Sequence, residues 1–146
     1  MAELFDSYLE QAIGGTPLVP LNNLSSASSG QVWLKLESGN PTGSYKDRMA
    51  YAVFKNAFAR GDLRTGGRLV EYTGGSTGTS LAHIAARTGI QFIAVSSDAF
   101  AQSKIDSMLA YGAEVITIPS EDRKITPDLI AAMREKAYAI AEEPNT

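Results

Sequence analysis

Cysteine is absent from this chain of 146 residues, and histidine and tryptophan each occur only once. The lack of cysteine excludes disulfide bonds, thiolate metal sites and a cysteine nucleophile, and it permits an intracellular compartment. No segment is long and apolar enough to span a bilayer, and the amino terminus lacks the apolar run of a signal peptide. These absences favour a cytoplasmic protein that makes no contact with a membrane.

Charged residues are few and nearly balanced in sign. The chain has 13 lysines and arginines against 16 aspartates and glutamates, a net charge of -3. Without a basic run, this balance argues against nucleic acid or an anionic membrane as a partner. Scattered acids such as Glu37, Glu71 and Asp98 lack the spacing of metal ligands, so we expect no metal.

From residue 68 onwards, apolar runs typical of strands alternate with segments of helical periodicity. Runs rich in valine and isoleucine predict strands over 68–73, 91–97 and 114–119, and helical spacing predicts helices over 79–88 and 102–111. A last helix begins at Thr126 and Pro127, residues typical of a cap and a first turn. Strands that are each followed by a helix indicate parallel βαβ units. The predicted fold class is α/β, a three-layer αβα arrangement around a parallel sheet.

The first part of the chain has a different pattern. Helices are predicted over 3–12 and 45–60, and an antiparallel hairpin is predicted from the runs at 16–21 and 31–37. Met49, Val53 and Ala57 mark the apolar face of the second helix, and Phe54 and Phe58 broaden it. Trp33 is expected in the core. The last helix is predicted to bury an apolar stripe that consists of Ile130, Met133, Ala137 and Ile140.

The hairpin is not needed by the parallel sheet, and no strand follows the last helix. We therefore expect an incomplete fold in two parts. Residues 1–41 would belong to a larger domain, residues 42–146 would form a small βαβ domain, and a second half would be absent.

The stretch GNPTGSYKDRMA, residues 39–50, places Lys46 in the first turn of a predicted helix. Ser44 and Asp47 have the spacing of a capping box, with Ser44 as the cap. A helix amino terminus disfavours an added positive charge, so this position favours the neutral, nucleophilic form of the amine. Lys46 is therefore a candidate for imine formation, although a solvated lysine beside Asp47 also fits the stretch.

A second motif, EYTGGSTGTSLA at residues 71–82, lies between a predicted strand and a predicted helix. Its glycines let the backbone approach a ligand closely. The free N–H groups and hydroxyls at a helix start can receive a carboxylate or a phosphate. A nucleophilic lysine together with such a loop is what a site forming an imine with an amino acid requires.

Four motifs follow one another between residues 13 and 119: GGTPLVPL, KLESGNPTGSYKDR, EYTGGSTGTSLA and AYGAEVITIP. In this order they resemble the amino-terminal half of the fold type II pyridoxal-phosphate enzymes, the cysteine synthase and tryptophan synthase beta group. The resemblance implies a tryptophan synthase beta-like fold, pyridoxal 5'-phosphate as cofactor, and Lys46 as the catalytic residue that binds it as an imine. It also implies a loop that binds the substrate carboxylate, formed by Thr73, Gly74, Gly75, Ser76 and Thr77.

The resemblance further implies a lyase or transferase that acts on a small amino-acid substrate in cysteine biosynthesis. The cofactor withdraws electrons from the amino acid, and Lys46 takes the α proton. A leaving group such as that of O-acetylserine then departs from the β carbon, and a sulfur donor adds. For the full-length form, the resemblance implies a homo-oligomer, a dimer.

Two departures from the cysteine synthase pattern lie in the loop. Gly74 stands where those enzymes usually have serine. Ser76 stands where those enzymes have an asparagine that reaches the ring hydroxyl of the cofactor, so Ser76 is the expected cofactor contact here.

In this family the loop that binds the cofactor phosphate comes from the second half of the chain. The chain by itself is thus expected to hold the cofactor weakly and not to turn over.

Other interpretations fit parts of the pattern. A threonine synthase-like or a serine/threonine dehydratase-like enzyme would use the same lysine and loop. An NAD-binding Rossmann domain would use Asp98, about twenty residues past the loop, to hold a ribose. A non-catalytic interaction fragment would use its exposed apolar faces to bind another chain. His83, the one histidine, is predicted to lie on a polar helix face.

Overall fold

The computed structural model describes residues 7–24 and 30–143. Its elements in chain order are α1 (Ser7–Ala12), β1 (Leu18–Pro20), β2 (Trp33–Lys35), α2 (Lys46–Arg60), β3 (Arg68–Tyr72), α3 (Ser76–Thr88), β4 (Gln91–Ser97), α4 (Gln102–Ala110), β5 (Glu114–Ile118) and α5 (Pro127–Ala141). Every predicted helix and strand is therefore present. The first four residues of the predicted helix over 3–12, and most of the turn within the hairpin, lie outside the described residues.

The strands form two separate sheets. β3, β4 and β5 are adjacent in that order and pair in parallel, with Val70 opposite Ile93 and Val95 opposite Ile116. β1 and β2 pair antiparallel as a hairpin of their own. The predicted parallel βαβ core and the predicted hairpin are both confirmed.

The parallel sheet is buried on both faces. Successive side chains of a strand point to opposite faces. Phe92 and Ala94 of β4 belong to the apolar core that contains residues of α2, α3 and α4. Ile93 and Val95 of the same strand belong to a second core formed with α5. Helices thus cover both sides of the sheet, which confirms the three-layer αβα arrangement.

The last helix begins as its sequence predicts. The Thr126 hydroxyl accepts a hydrogen bond from the Leu129 N–H at 3.2 Å, and Pro127 occupies the first helical position. The residues that α5 buries are Leu129, Met133, Ala137 and Ile140. Ile130 was predicted to be one of them and is only partly buried, because Leu129 takes the position facing the sheet.

Two predictions about the core are wrong. Trp33 is 49% exposed, because the hairpin that carries it is a separate two-stranded sheet. Met49 and Val53 of α2 are also exposed. The other predicted residues of this face do pack inward, Phe54 fully and Ala57 and Phe58 in part, and they are joined by Asp47 and Ala50. Both sides of α2 carry apolar residues, so periodicity alone could not choose between them.

Residues 7–24 and 30–143 lack two features that would indicate other functions. No helix in these ranges has the length and apolar character needed to cross a membrane. No three acidic or histidine side chains in these ranges come close enough together to hold a metal ion.

Candidate active site

The predicted site residues meet at the carboxyl end of β3. Lys46 and the whole stretch from Thr73 to Thr77 line one open cavity of about 600 Å³. The loop lies between the last residue of β3 and the first residue of α3, at the edge where parallel α/β sheets commonly bind ligands. The structure brings together the lysine and the loop that the resemblance implies for the site, while the role of each residue stays a prediction.

Lys46 is the first residue of α2 and is half-buried. Its backbone N–H donates to the Ser44 hydroxyl at 3.1 Å. Its Nζ lies 4.9 Å from the centroid of the Tyr45 ring. The ring face attracts an ammonium group, whereas the amino terminus of the helix repels it. The Tyr45 ring therefore offsets part of the unfavourable field at this position.

Asp47 does not complete the predicted capping box. Ser44 is not the cap either: Tyr45 occupies the N-cap position of α2 without a side-chain cap hydrogen bond, and the Asp47 carboxylate is fully buried and turns to Thr42. It accepts the Thr42 N–H at 2.8 Å and the Thr42 hydroxyl at 2.6 Å. The Thr42 oxygen also lies 3.3 Å from the Ser80 hydroxyl of α3, which must be the donor because Thr42 gives its own proton to the carboxylate. Thr42 thus connects the Asp47 carboxylate of α2 to the Ser80 hydroxyl of the helix that follows the loop.

Thr73 orders the loop from within. Its hydroxyl oxygen accepts the Gly78 N–H at 3.1 Å and the Gly75 N–H at 3.5 Å, and the side chain is buried. The first turn of a helix leaves its N–H groups without acceptors inside the helix. Ser76 and Thr77 provide those N–H groups at the cavity. The loop therefore presents backbone donors at the positive end of the α3 dipole, a suitable receptor for an anionic group.

Four further residues line the cavity that sequence reasoning did not assign to the site: Tyr45, Glu71, Tyr72 and Phe100. Burial raises the pKa of the Glu71 carboxyl above its ordinary value. Glu71 and Tyr72 end the strand that leads into the loop, and Phe100 follows the neighbouring strand. Because adjacent parallel strands end at the same edge of a sheet, their positions in the sequence were the available signal.

His83 lies on the packed side of α3, which corrects its prediction as a polar-face residue. Its ring meets the Tyr111 ring edge-on at 5.1 Å between centroids, and its Nε2 is buried without a hydrogen-bond partner among the described residues. Burial lowers the pKa of the imidazole. His83 is not among the residues that line the cavity.

Asp98, the acid of the dinucleotide-binding alternative, is engaged elsewhere. Its carboxylate accepts both the N–H and the hydroxyl of Ser120 at 2.8 Å. These hydrogen bonds lower the pKa of Asp98. The carboxylate therefore joins the ends of β4 and β5.

Known proteins resemble this chain over most of its length. Cysteine synthase B of Salmonella typhimurium is 42% identical over 129 residues, which are 88% of this chain and 43% of that protein. A probable cysteine synthase of Bacillus subtilis is 44% identical over 128 residues, 88% of this chain and 40% of that protein. The crystal structure of a hydrogen sulfide-producing enzyme from Fusobacterium nucleatum superimposes with a TM-score of 0.79 at 32% identity, covering 96% of this chain and 44% of that one.

The chain thus spans about two fifths of the length of these relatives. The family model described as pyridoxal-phosphate dependent enzyme matches residues 9–146, nearly the whole sequence. This family match argues against the alternative of an NAD-binding Rossmann domain. The chain belongs to the family of pyridoxal-phosphate dependent enzymes.

Proposed function

We propose that this chain supplies the cofactor lysine and the substrate loop of an enzyme that replaces a group on the β carbon of an amino acid, as cysteine synthases do. The observation that carries the proposal is the shared cavity of Lys46 and the Thr73 to Thr77 loop. It is supported by the family match and by relatives named as cysteine synthases.

The residues present fit pyridoxal 5'-phosphate at its reactive end. Lys46 carries the only lysine amine among the residues that line the cavity, and the cavity has the size of a small-molecule site. We assign Lys46 as the residue that holds the cofactor and Ser76 as a hydroxyl contact to it. When bound, the cofactor withdraws electrons from the amino acid joined to it.

The loop is suited to hold the carboxylate of the substrate. The free N–H groups of Ser76 and Thr77 and the positive end of the α3 dipole favour a negative group. Gly74 and Gly75 carry no side chain that would keep the carboxylate away from the backbone, and Thr73 keeps the loop in shape through its hydrogen bonds. These contacts would fix the α carbon within reach of the amine of Lys46.

Lys46 is also the group assigned to move the proton at the substrate α carbon. An amine can accept that proton in its neutral form and return it in its charged form. Removal of the α proton allows a leaving group on the β carbon to depart. Addition of a sulfur nucleophile at that carbon would complete a cysteine synthase-like reaction, and the names of the relatives favour it over the dehydratase-like alternative.

Three further assignments rest on the same proposal. The enzyme is placed in the cytoplasm, and the functional form is a homodimer. Residues 1–41 are assigned to a larger domain and residues 42–146 to a small one. The division is supported by the exposed apolar side chains of the hairpin, including Leu18, Trp33 and Leu34, which a larger domain would cover.

The test is to trap the cofactor on its lysine. The chain is incubated with pyridoxal 5'-phosphate, reduced with borohydride and digested, and the labelled peptide is identified by mass spectrometry. We expect the label on Lys46 and its loss in Lys46→Arg. Lys55→Arg is the matched control, because Lys55 lies on the same helix and forms an exposed ion pair with Glu10; its label pattern should match that of the unchanged chain. A label spread evenly over the surface lysines would contradict the proposal.

A further inference from the structure

Gly74 lies directly beneath an aromatic ring. A Cβ atom at Gly74 would stand 2.2 Å from both Cδ1 and Cε1 of Phe100, far closer than two carbon atoms can approach. Gly74 is not among the glycines with positive φ, so its backbone conformation does not require glycine. The ring of Phe100 therefore leaves no room for a side chain at this position of the loop.

Phe100 is held in place from the other side. It follows β4, its N–H donates to the Ser97 carbonyl at 3.2 Å, and it packs against the core that contains Ile93 and Val95. The ring also lines the loop cavity. One ring thus contacts the core, the loop backbone and the open space of the site, and this anchoring restricts its movement.

We propose that Phe100 is a specificity-determining residue, which closes the cavity beside Gly74 with an apolar wall and excludes amino acids whose side chains branch at the γ position, while it admits those with a single, unbranched γ atom. This inference rests on the proposed function, because it takes the loop as the receptor for the carboxylate. The β carbon of an amino acid is separated from the carboxylate carbon only by the α carbon. A side chain on a carboxylate held at the loop must therefore begin close to the Phe100 ring.

The glycine and the ring form a complementary pair. In the resembling cysteine synthases a serine usually stands at the position of Gly74. In this chain the ring takes the space of that side chain, so an apolar surface replaces a hydroxyl at the loop. Removal of the ring should open the wall, and addition of a methyl group at Gly74 should collide with it.

The packing is tested first, without any cofactor. Gly74→Ala should lower the Tm by about 4 °C or more, because overpacking of this size is destabilising. In the Phe100→Ala background the same change should have little effect. Gly75→Ala is the matched control, since nothing lies within 4 Å of a Cβ atom at Gly75. An equal loss from Gly74→Ala with and without the ring would overturn the inference.

The exclusion of γ-branched side chains is tested by protection of Lys46 from the borohydride label. L-serine and L-leucine are compared as protecting ligands, in the unchanged chain and in Phe100→Ala. We expect the half-protecting concentration of L-leucine to fall about tenfold in the variant, and that of L-serine to change by no more than about twofold. If the unchanged chain carries no label on Lys46, the proposed function fails. If Lys46 is labelled and Phe100→Ala leaves the L-leucine value unchanged, the specificity role of Phe100 alone is overturned.

Discussion

Substitution of Asp47 by alanine and by asparagine distinguishes the contribution of its charge to stability from that of its hydrogen bonds. The carboxylate is fully buried and accepts both the N–H and the hydroxyl of Thr42. A hydrogen bond to a charged group contributes about 1.5–3 kcal/mol, so Asp47→Ala should lower the free energy of unfolding by about 3–5 kcal/mol. Asparagine can keep both contacts if its oxygen accepts the N–H and its amide donates to the Thr42 oxygen, which leaves the Thr42 hydroxyl to donate to Ser80. Asp47→Asn should therefore cost about 1–2 kcal/mol.

The assay is urea unfolding followed by circular dichroism, with the change read from the midpoint at constant m value. Asp128→Asn is the matched control, because Asp128 also lies in the first turn of a 15-residue helix but is exposed. It should lose about 0.5 kcal/mol, the effect of the helix dipole alone. Thr42→Val should be strongly non-additive with Asp47→Ala, since both remove the same hydrogen bond. A cost of Asp47→Ala no greater than that of Asp128→Asn would refute the reasoning.

Two further changes test contacts elsewhere in the fold. The hydrogen bond from Arg48 is the main cause that lowers the pKa of Glu37 from 4.5 to about 2. Because the pKa is lower in the folded state, the ionised Glu37 carboxylate stabilises the fold above pH 4.5, and this stabilisation is lost as the pH falls towards 2. Urea midpoints of the unchanged chain and of Glu37→Gln should converge between about pH 5 and about pH 2.5; a constant difference would contradict this. Thr126→Ala removes the acceptor of the Leu129 N–H and should cost about 1 kcal/mol in urea unfolding, whereas Thr126→Ser should retain most of the stability; equal losses would show that the cap does not contribute.

Much of the fold could be predicted because its signals are local. The strand over 91–97 was predicted with its final bounds, and Thr126 and Pro127 marked the start of α5. Helix caps, turn glycines and alternating apolar runs determine the conformation of only a few neighbouring residues, so they can be recognised in a single sequence. The inward face of α2 could not be predicted in this way, since it depends on which neighbouring helix covers it.

The residues of the candidate site also differ in whether a local signal predicted them. Lys46 and the Thr73 to Thr77 loop were found because each belongs to a short motif with its own chemistry. Phe100 was missed because it belongs to no motif, and its effect arises only where the chain returns to pack on Gly74. Asp47 was noticed but was given the wrong partner, because the capping-box pattern does not include a competing donor at Thr42.

By itself, the sequence determined the order of the elements, the α/β class, the lysine and the loop. These follow from periodicity and from residue types at fixed short spacing. Only the tertiary structure decided that Lys46 and the loop share one cavity, that Thr42 connects Asp47 to Ser80 of α3, and that Phe100 covers Gly74. The physical reason is that steric contact and hydrogen bonding act over a few ångströms in space, whatever the separation along the chain.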